Sequence, residues 1–142
     1  MAKTYTGVTF NGYHSYDDWG LKLKEIQIEV PEAKTEYIEL QGVDGDIDLT
    51  EIRNDGVKYG MRSLVFVFNA PHSSYEKWAA ILSEVAYVVE GKSLEIVIDE
   101  DSSYTYTGRG HITTAKENTV NSEIEIACYC QPMKTSGSKE VI

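Results

Sequence analysis

The chain has 142 residues, of which 42% are hydrophobic, and this length suits one domain that can bury a sizeable core. Its formal net charge of −10 comes without a basic cluster, which argues against direct binding to nucleic acid or to an anionic membrane. No apolar run reaches the roughly 18 residues of a membrane span, and the N-terminus lacks the apolar stretch of a signal peptide. We therefore expect a soluble protein that is made in the cytoplasm.

Most of the chain alternates apolar and polar residues with a period of two, which is typical of β-strands. The alternation of residues 21–30 slips by one at Lys24 and Glu25, which predicts a β-bulge, and Pro31 ends that run. Residues 64–68 are apolar on both faces and predict a central strand that is covered on both sides.

One helix is predicted at about residues 73–89, because apolar residues recur there at helical spacing. Ser73 and Glu76 have the spacing of a capping box, and Gly91 offers a stop. Three alternating segments follow the helix and predict a meander of strands. The predicted fold class is mainly β (α+β): a β-sandwich with one flanking helix and a projecting loop or hairpin.

Three alternating aspartates invite a comparison with a calcium loop: Asp44, Asp46 and Asp48. An EF-hand loop that began at Asp44 would need glycine at its sixth position, where Leu49 stands, and flanking helices are missing. We predict instead a glycine turn followed by a half-exposed strand, in which Ile47 and Leu49 face inward while the aspartates and Thr50 face solvent. We expect no metal and no cofactor.

Cys128 and Cys130 lie two residues apart in the last predicted strand. Adjacent side chains on one face of a strand do not easily close a disulfide with proper geometry, and two cysteines without histidine neighbours do not make a zinc site. We therefore predict two reduced cysteines that are buried as small hydrophobic side chains.

No sequence motif predicts catalysis. His14, His72 and His111 are far apart, and no G-x-S-x-G motif is present. The segment Gly108–Gly110 lacks the spacing of a phosphate loop and lies inside a strand pattern, so we expect Arg109 to be an exposed or interfacial strand residue. A Ser-His-Asp arrangement is recognised by geometry, which the sequence leaves open. Our prediction is that the protein is not an enzyme.

The chain contains ten tyrosines, which suit binding or assembly surfaces. Six motifs in order resemble the N-terminal ring-forming domain of the siphophage distal tail protein family, and they extend from Val8 to Met133. The motifs are VTFNGYHSYDDWGL, YIELQGVDGDIDLT, YGMRSLVFVF, YEKWAAIL, IDEDSSYTYTGR and IEIACYCQPM.

This resemblance implies a structural protein of a long, non-contractile phage tail, located in the virion and made in the cytoplasm of the bacterial host. Its copies would form a homo-hexameric ring that joins the tail tube to the tail tip or baseplate. DNA would pass through the channel without specific binding, and acidic walls would repel its phosphates. Residues 1–133 would form the ring domain, and residues 134–142 would be a frayed C-terminal tail or a linker.

A ring is a closed heterologous assembly, in which one face of a subunit meets a different face of its neighbour. We predict that the segment from Asp44 to Tyr59 projects as a loop or hairpin and contacts the next subunit. The predicted interface residues are Asp44, Asp46, Asp48, Glu51, Arg53, Tyr59 and Arg109.

Two other functions stay open. The chain could be another ring component of a virion, namely a tail tube protein or a head–tail joining protein, since those β-sandwich folds also carry a flanking helix. It could also be a monomeric carbohydrate-binding β-sandwich module, with Trp19, Tyr104 and Tyr106 as candidate residues for stacking on a sugar ring.

Overall fold

The computed structural model describes residues 5–51, 56–118 and 122–142. In that part of the chain the helix is α1 (Tyr75–Val89), and a short 3-10 turn covers Asp99–Asp101. The strands are β1 (Val8–Phe10), β2 (Tyr13–His14), β3 (Lys22–Ile28), β4 (Ala33–Lys34), β5 (Tyr37–Glu39), β6 (Asp46–Asp48), β7 (Lys58–Tyr59), β8 (Arg62–Asn69), β9 (Ser93–Ile98), β10 (Tyr106–Lys116), β11 (Glu123–Cys130), β12 (Lys134–Ser136) and β13 (Lys139–Val141).

Seven strands form one antiparallel sheet in the order β2-β1-β9-β10-β11-β8-β3. Although three strands separate β1 from β8 in this order, the ring of Phe10 lies only 5.6 Å from that of Phe66 and 6.5 Å from that of Phe68 between centroids. The sheet therefore curls until its two halves face each other across one core. This arrangement confirms the predicted mainly β fold, a β-sandwich with one flanking helix.

Strand alternation places the core as the sequence predicts. Every second residue of β11 is buried, and the same face of β8 is buried beside it. Val67, on the opposite face of β8, is buried as well, which confirms a central strand. The register of β3 against β8 shifts between Leu23 and Glu25, which confirms the predicted β-bulge.

The two cysteines are unlinked and buried on the core face of β11, as predicted. Burial raises the pKa of the Cys130 thiol to about 11. Burial, together with the neighbouring Cys130, raises the pKa of the Cys128 thiol still further. Both thiols are therefore protonated and unreactive near neutral pH.

The helix begins at Tyr75, two residues later than predicted. Its N-cap is Ser74, whose Oγ accepts a hydrogen bond from the Lys77 amide at 3.3 Å, so the predicted capping box of Ser73 and Glu76 is wrong. Backbone and side-chain hydrogen bonds hold residues 70–72 against the turn before β11, and the chain enters the helix only after them. No helix among the described residues is both long and apolar enough to cross a membrane.

The predicted stop after the helix is confirmed by Gly91. Its φ of 69° lies in the left-handed region that favours glycine, and its amide donates to the Gly110 carbonyl at 2.9 Å. The helix therefore ends where its last turn meets β10.

Residues 134–141 form a hairpin of β12 and β13, and the prediction of a frayed end there is wrong. Thr135 exchanges two backbone hydrogen bonds with Thr105, at 2.8 and 3.0 Å. The Lys134 ammonium lies 2.5 Å from the Asp101 carboxylate and 4.9 Å from the centre of the Tyr104 ring. These contacts hold a polar segment that has no apolar face of its own. The domain boundary between residues 133 and 134 stays a prediction.

Gly108 permits the close approach of β10 and β11, and this generates a test. A Cβ at Gly108 would lie 2.5 Å from the Tyr129 carbonyl oxygen and 2.6 Å from Cys130 Cα, which are backbone atoms that cannot rotate away. We expect Gly108→Ala to lower the free energy of unfolding by at least about 2 kcal/mol in urea denaturation. The exposed control Thr107→Ala should change it by no more than about 0.5 kcal/mol, and equal effects would contradict the packing argument.

Candidate assembly surface

We call residues 31–60, between β3 and β8, the arm; the structure describes residues 31–51 and 56–60 of it, and these leave the main sheet. Ala33 of β4 pairs with Tyr59 of β7 at its base, and Tyr37 of β5 pairs with Asp48 of β6 farther out. Neither pair of strands joins the seven-stranded sheet. A hairpin outside the main sheet is therefore confirmed, but it runs from Tyr37 to Asp48 and not from Asp44 to Tyr59, and residues 52–55 of the predicted segment lie outside the described residues.

A buried threonine orders the outer part of the arm. The Thr50 hydroxyl accepts from the Glu36 amide at 3.1 Å and donates to the Asp48 carboxylate, which also accepts from the Thr50 amide at 2.9 Å. Leu49 donates its amide to the Glu36 carbonyl at 2.7 Å. The hydrogen bonds from Thr50 hold the pKa of Asp48 below its usual range.

These contacts correct the predicted orientation of the strand. Thr50 was expected to face solvent and is buried, whereas Ile47 was expected to face inward and is exposed. The reason is that every residue of β5 and β6 is exposed, so in the described part of the chain the alternating residues of this hairpin have no core to face. Thr50 is buried because its hydroxyl forms hydrogen bonds with two groups of the arm, the Glu36 amide and the Asp48 carboxylate.

The arm carries an unusual share of exposed apolar surface. Among the described residues, six of the 14 exposed large hydrophobic side chains lie on the arm, and Ile28 and Val30 lie just before it. The six are Tyr37, Ile38, Leu40, Val43, Ile47 and Val57. Contiguous exposed apolar surface with a polar rim is typical of an interaction site.

The outer part of the arm is also strongly acidic. We call residues 36–51 the tip; its six carboxylates are Glu36, Glu39, Asp44, Asp46, Asp48 and Glu51, and it has no lysine or arginine. The tip therefore holds a charge of −6 out of a total of −10. Two tips would repel each other, so a partner surface must be apolar and cationic.

The predicted interface residues fall into separate groups. Four of them, Asp44, Asp46, Asp48 and Glu51, are exposed on the tip. Tyr59 is half-buried at the base of the arm, and Arg53 lies outside the described residues. Arg109 is exposed on β10 and donates to the Gly91 carbonyl at 2.8 Å, two strands away from the strand that follows the arm. Their role as an interface stays a prediction.

Arg62 holds the base of the arm, a role that no sequence pattern predicted. Its side chain is only 2% exposed. The Nε–H donates to the Glu29 carbonyl at 2.9 Å, while Nη1 donates to the Pro132 and Ile142 carbonyls at 3.0 and 3.1 Å. Its guanidinium carbon lies 5.4 Å from the centre of the Tyr106 ring. The start of the arm and the C-terminal hairpin therefore share one anchor.

The sugar-stacking surface considered above does not form in this fold. Trp19 and Tyr106 are both buried, at 5% and 3% exposure, so two of the three candidate rings cannot stack on a ligand. The structure also places no group of three or more histidine, cysteine, aspartate or glutamate side chains in position to hold a metal ion within its described residues.

Ser122, His72 and Glu117 have the composition of a catalytic triad but not its chemistry. Ser122 Oγ lies 3.2 Å from His72 Nδ1, and His72 Nε2 lies 2.9 Å from the Glu117 carboxylate. However, Nδ1 also lies 3.1 Å from the Ala70 carbonyl, which only accepts, so Nδ1 carries a proton and cannot take one from the serine. Ser122 Oγ is also held by the backbone of Asn118, and the arrangement ties the start of the helix to a turn.

Comparison with known proteins supports the fold. No family model matches the chain, and no curated protein matches it. The chain is similar to the solved structure of the SPP1 Dit protein (gp 19.1), described as a paradigm of the hub adsorption apparatus in phages that infect Gram-positive bacteria, with a TM-score of 0.69 and 18% identity. The match covers 93% of this chain and 52% of that one, so the chain spans about half the length of Dit. At this identity the likeness shows the fold alone.

Two weaker likenesses involve gene transfer agent particles. One is to a chain from the tail of an empty particle, with a TM-score of 0.41, 12% identity and 82% of each chain covered. The other is to a chain from the native virion, with a TM-score of 0.40, 14% identity, and 84% of this chain and 85% of that chain covered. At these scores neither carries an argument.

The role of Thr50 in the arm can be tested with Thr50→Val, which keeps the shape and removes the hydroxyl. We expect amide hydrogen exchange in β5 and β6 to accelerate by about tenfold, while exchange in β8 and β11 stays unchanged.

The same substitution should also raise the pKa of Asp48 toward its usual range in an NMR titration. Because the folded pKa of Asp48 is lowered, its contribution to stability is present above its unfolded pKa and is lost as the pH falls through its folded pKa. The exposed neighbour provides the control Thr35→Val, and equal acceleration in both variants would contradict this role.

The bridge made by His72 predicts a pH dependence. The Ala70 carbonyl and the Glu117 carboxylate raise the pKa of His72 above its ordinary value. Its contribution to stability is therefore fully present below about pH 6.5 and is lost as the pH rises through the folded pKa. In urea denaturation, His72→Asn should destabilise the protein more at about pH 5.5 than at about pH 8.5. A destabilisation that grows with pH, or an NMR pKa below that of a free histidine, would contradict the bridge.

Proposed function

We propose that the protein is a structural subunit of a phage tail, a hub subunit whose copies form a ring between the tail tube and the tail tip or baseplate. The observation that carries this proposal is the Dit-like fold, with a TM-score of 0.69 over 93% of the chain. Its partners would be five further copies of itself, the tail tube protein and the tip or baseplate proteins. Its location would be the virion.

The arm supports assembly as the purpose of the fold. A ring needs one projecting surface and a different receiving surface on each subunit. The arm lies outside the main sheet and exposes apolar side chains. Its negative charge repels the arm of another copy. In this proposal the segment from Asp44 to Tyr59 contacts the next subunit.

The overall charge supports the passage of DNA. A ring of subunits that each carry −10 would surround its channel with negative potential, which repels phosphate and keeps DNA from adhering. The protein would then act by geometry and electrostatics, with no chemical step.

Light scattering at high protein concentration, followed by negative-stain imaging, tests the ring. We expect single or paired rings of about six subunits, the symmetry that the proposed hub requires. Long stacked polymers would favour a tail tube protein instead, and a monomer at every concentration would contradict the proposal.

A variant separates the role of the arm from that of the rest of the chain. Leu40→Ser with Val43→Ser removes exposed apolar side chains from the tip, and we expect the ring to dissociate while the monomer stays folded. Tyr75→Ser is the control, because it removes an exposed aromatic side chain at the start of the helix. Rings that survive the double substitution would show that the tip is not a subunit contact.

A further inference from the structure

An apolar groove lies beside the C-terminal half of α1. It has a volume of about 330 Å³ and runs between the β1–β2 hairpin and the helix, and we call it the helix-end groove. It is lined by Tyr13, Trp19, Ser83, Glu84, Tyr87 and Val88. Tyr13 and Tyr87 are exposed, and Tyr13 stacks against the buried Trp19 with 6.1 Å between ring centres. Rigid, exposed tyrosines beside a groove are typical anchors of protein interfaces.

One cation, Lys92, contacts a lining residue of this groove, and a second, Arg109, contacts the residue before Lys92. The Lys92 ammonium donates to the Tyr87 carbonyl at 3.3 Å and lies 5.4 Å from the centre of the Tyr87 ring. Arg109 donates to the Gly91 carbonyl at 2.8 Å. Neither forms an ion pair with a carboxylate of the described residues, and the nearby Glu90 is occupied by His111 and the Ile112 amide. Both side chains can therefore form an ion pair with a carboxylate of another molecule.

The fold places the arm and the groove at matching positions. One row of residues crosses the main sheet at the same end of its strands: Ser93, Arg109, Tyr129, Ser63 and Glu29. Lys92 precedes the first of these residues, and the arm starts directly after the last. Four strand spacings along the curled sheet separate Ser93 from Glu29. The arm and the groove are therefore different surfaces of one subunit that lie near the same end of these strands, and a heterologous ring contact needs two such surfaces.

We propose that the tip of one copy docks in the helix-end groove of the next copy. Leu40 and Val43 enter the apolar groove, and Asp44 and Asp46 face Lys92 and Arg109. This inference rests on the proposed ring, and it adds the identity of the receiving surface. The charge of −6 on the tip gives the contact its direction, because it disfavours tip-to-tip pairing and favours an apolar groove whose lining residue Tyr87 lies beside the Lys92 ammonium.

Charge variants of the full chain test this docking through the dissociation constant of the assembly, measured by light scattering over a dilution series. Lys92→Glu with Arg109→Glu should weaken assembly by at least about tenfold, and Asp44→Lys with Asp46→Lys in the same chain should restore it. Lys116→Glu is the matched control, because it reverses an exposed charge at the far end of β10.

A second pair of variants tests the groove itself. Glu84 is the one acidic residue that lines the groove, so Glu84→Lys should strengthen assembly, whereas Glu76→Lys on the same helix should not.

A photo-crosslinking residue at position 43 locates the contact directly. The expected intermolecular products join the tip to residues 83–92 of a second copy in mass spectrometry. Rings that form but crosslink elsewhere, or that ignore the charge variants, would overturn the docking and leave the proposed ring intact. A chain that stays monomeric and gives no intermolecular product would overturn both.

Discussion

The fold depends on one buried guanidinium. Arg62 places a positive charge in the interior without an ion pair among the described residues, and backbone carbonyls at Glu29, Pro132 and Ile142 take its hydrogen bonds. A buried charge is costly unless it is hydrogen-bonded, so these carbonyls are held where the guanidinium needs them. At this point the start of the arm meets the C-terminal region, which contributes the corner after β11 and the end of the C-terminal hairpin.

The arm is stabilised by different interactions from those of the core. Its order comes from local hydrogen bonds around Thr50 and from short strand pairs, not from burial between two layers. Such a unit can loosen without opening the main sheet, because local opening needs little free energy where few apolar contacts are buried. A surface built in this way would gain order when a partner covers its apolar residues, which suits a role in assembly.

The sequence predicted the elements whose pattern is imposed by the core. The alternation in β8 and β11, the bulge near Lys24 and the helix all follow from burial on one side, which selects apolar residues at fixed intervals. The facing of the arm was predicted wrongly because neither side of that hairpin is covered. Arg62 was missed because its partners are carbonyls, which any residue supplies. The C-terminal hairpin was missed because its strands are short and polar.

The two thiols on the inner face of β11 have a consequence for the behaviour of the folded chain toward oxidants. Both thiols are buried on the core face of the sheet. Because burial raises their pKa values well above neutral pH, they stay protonated and do not attack a disulfide. The folded chain can therefore pass from a reducing to an oxidising medium with its covalent structure unchanged. It needs no oxidative maturation, and it offers no exposed sulfur through which neighbouring copies could become wrongly crosslinked.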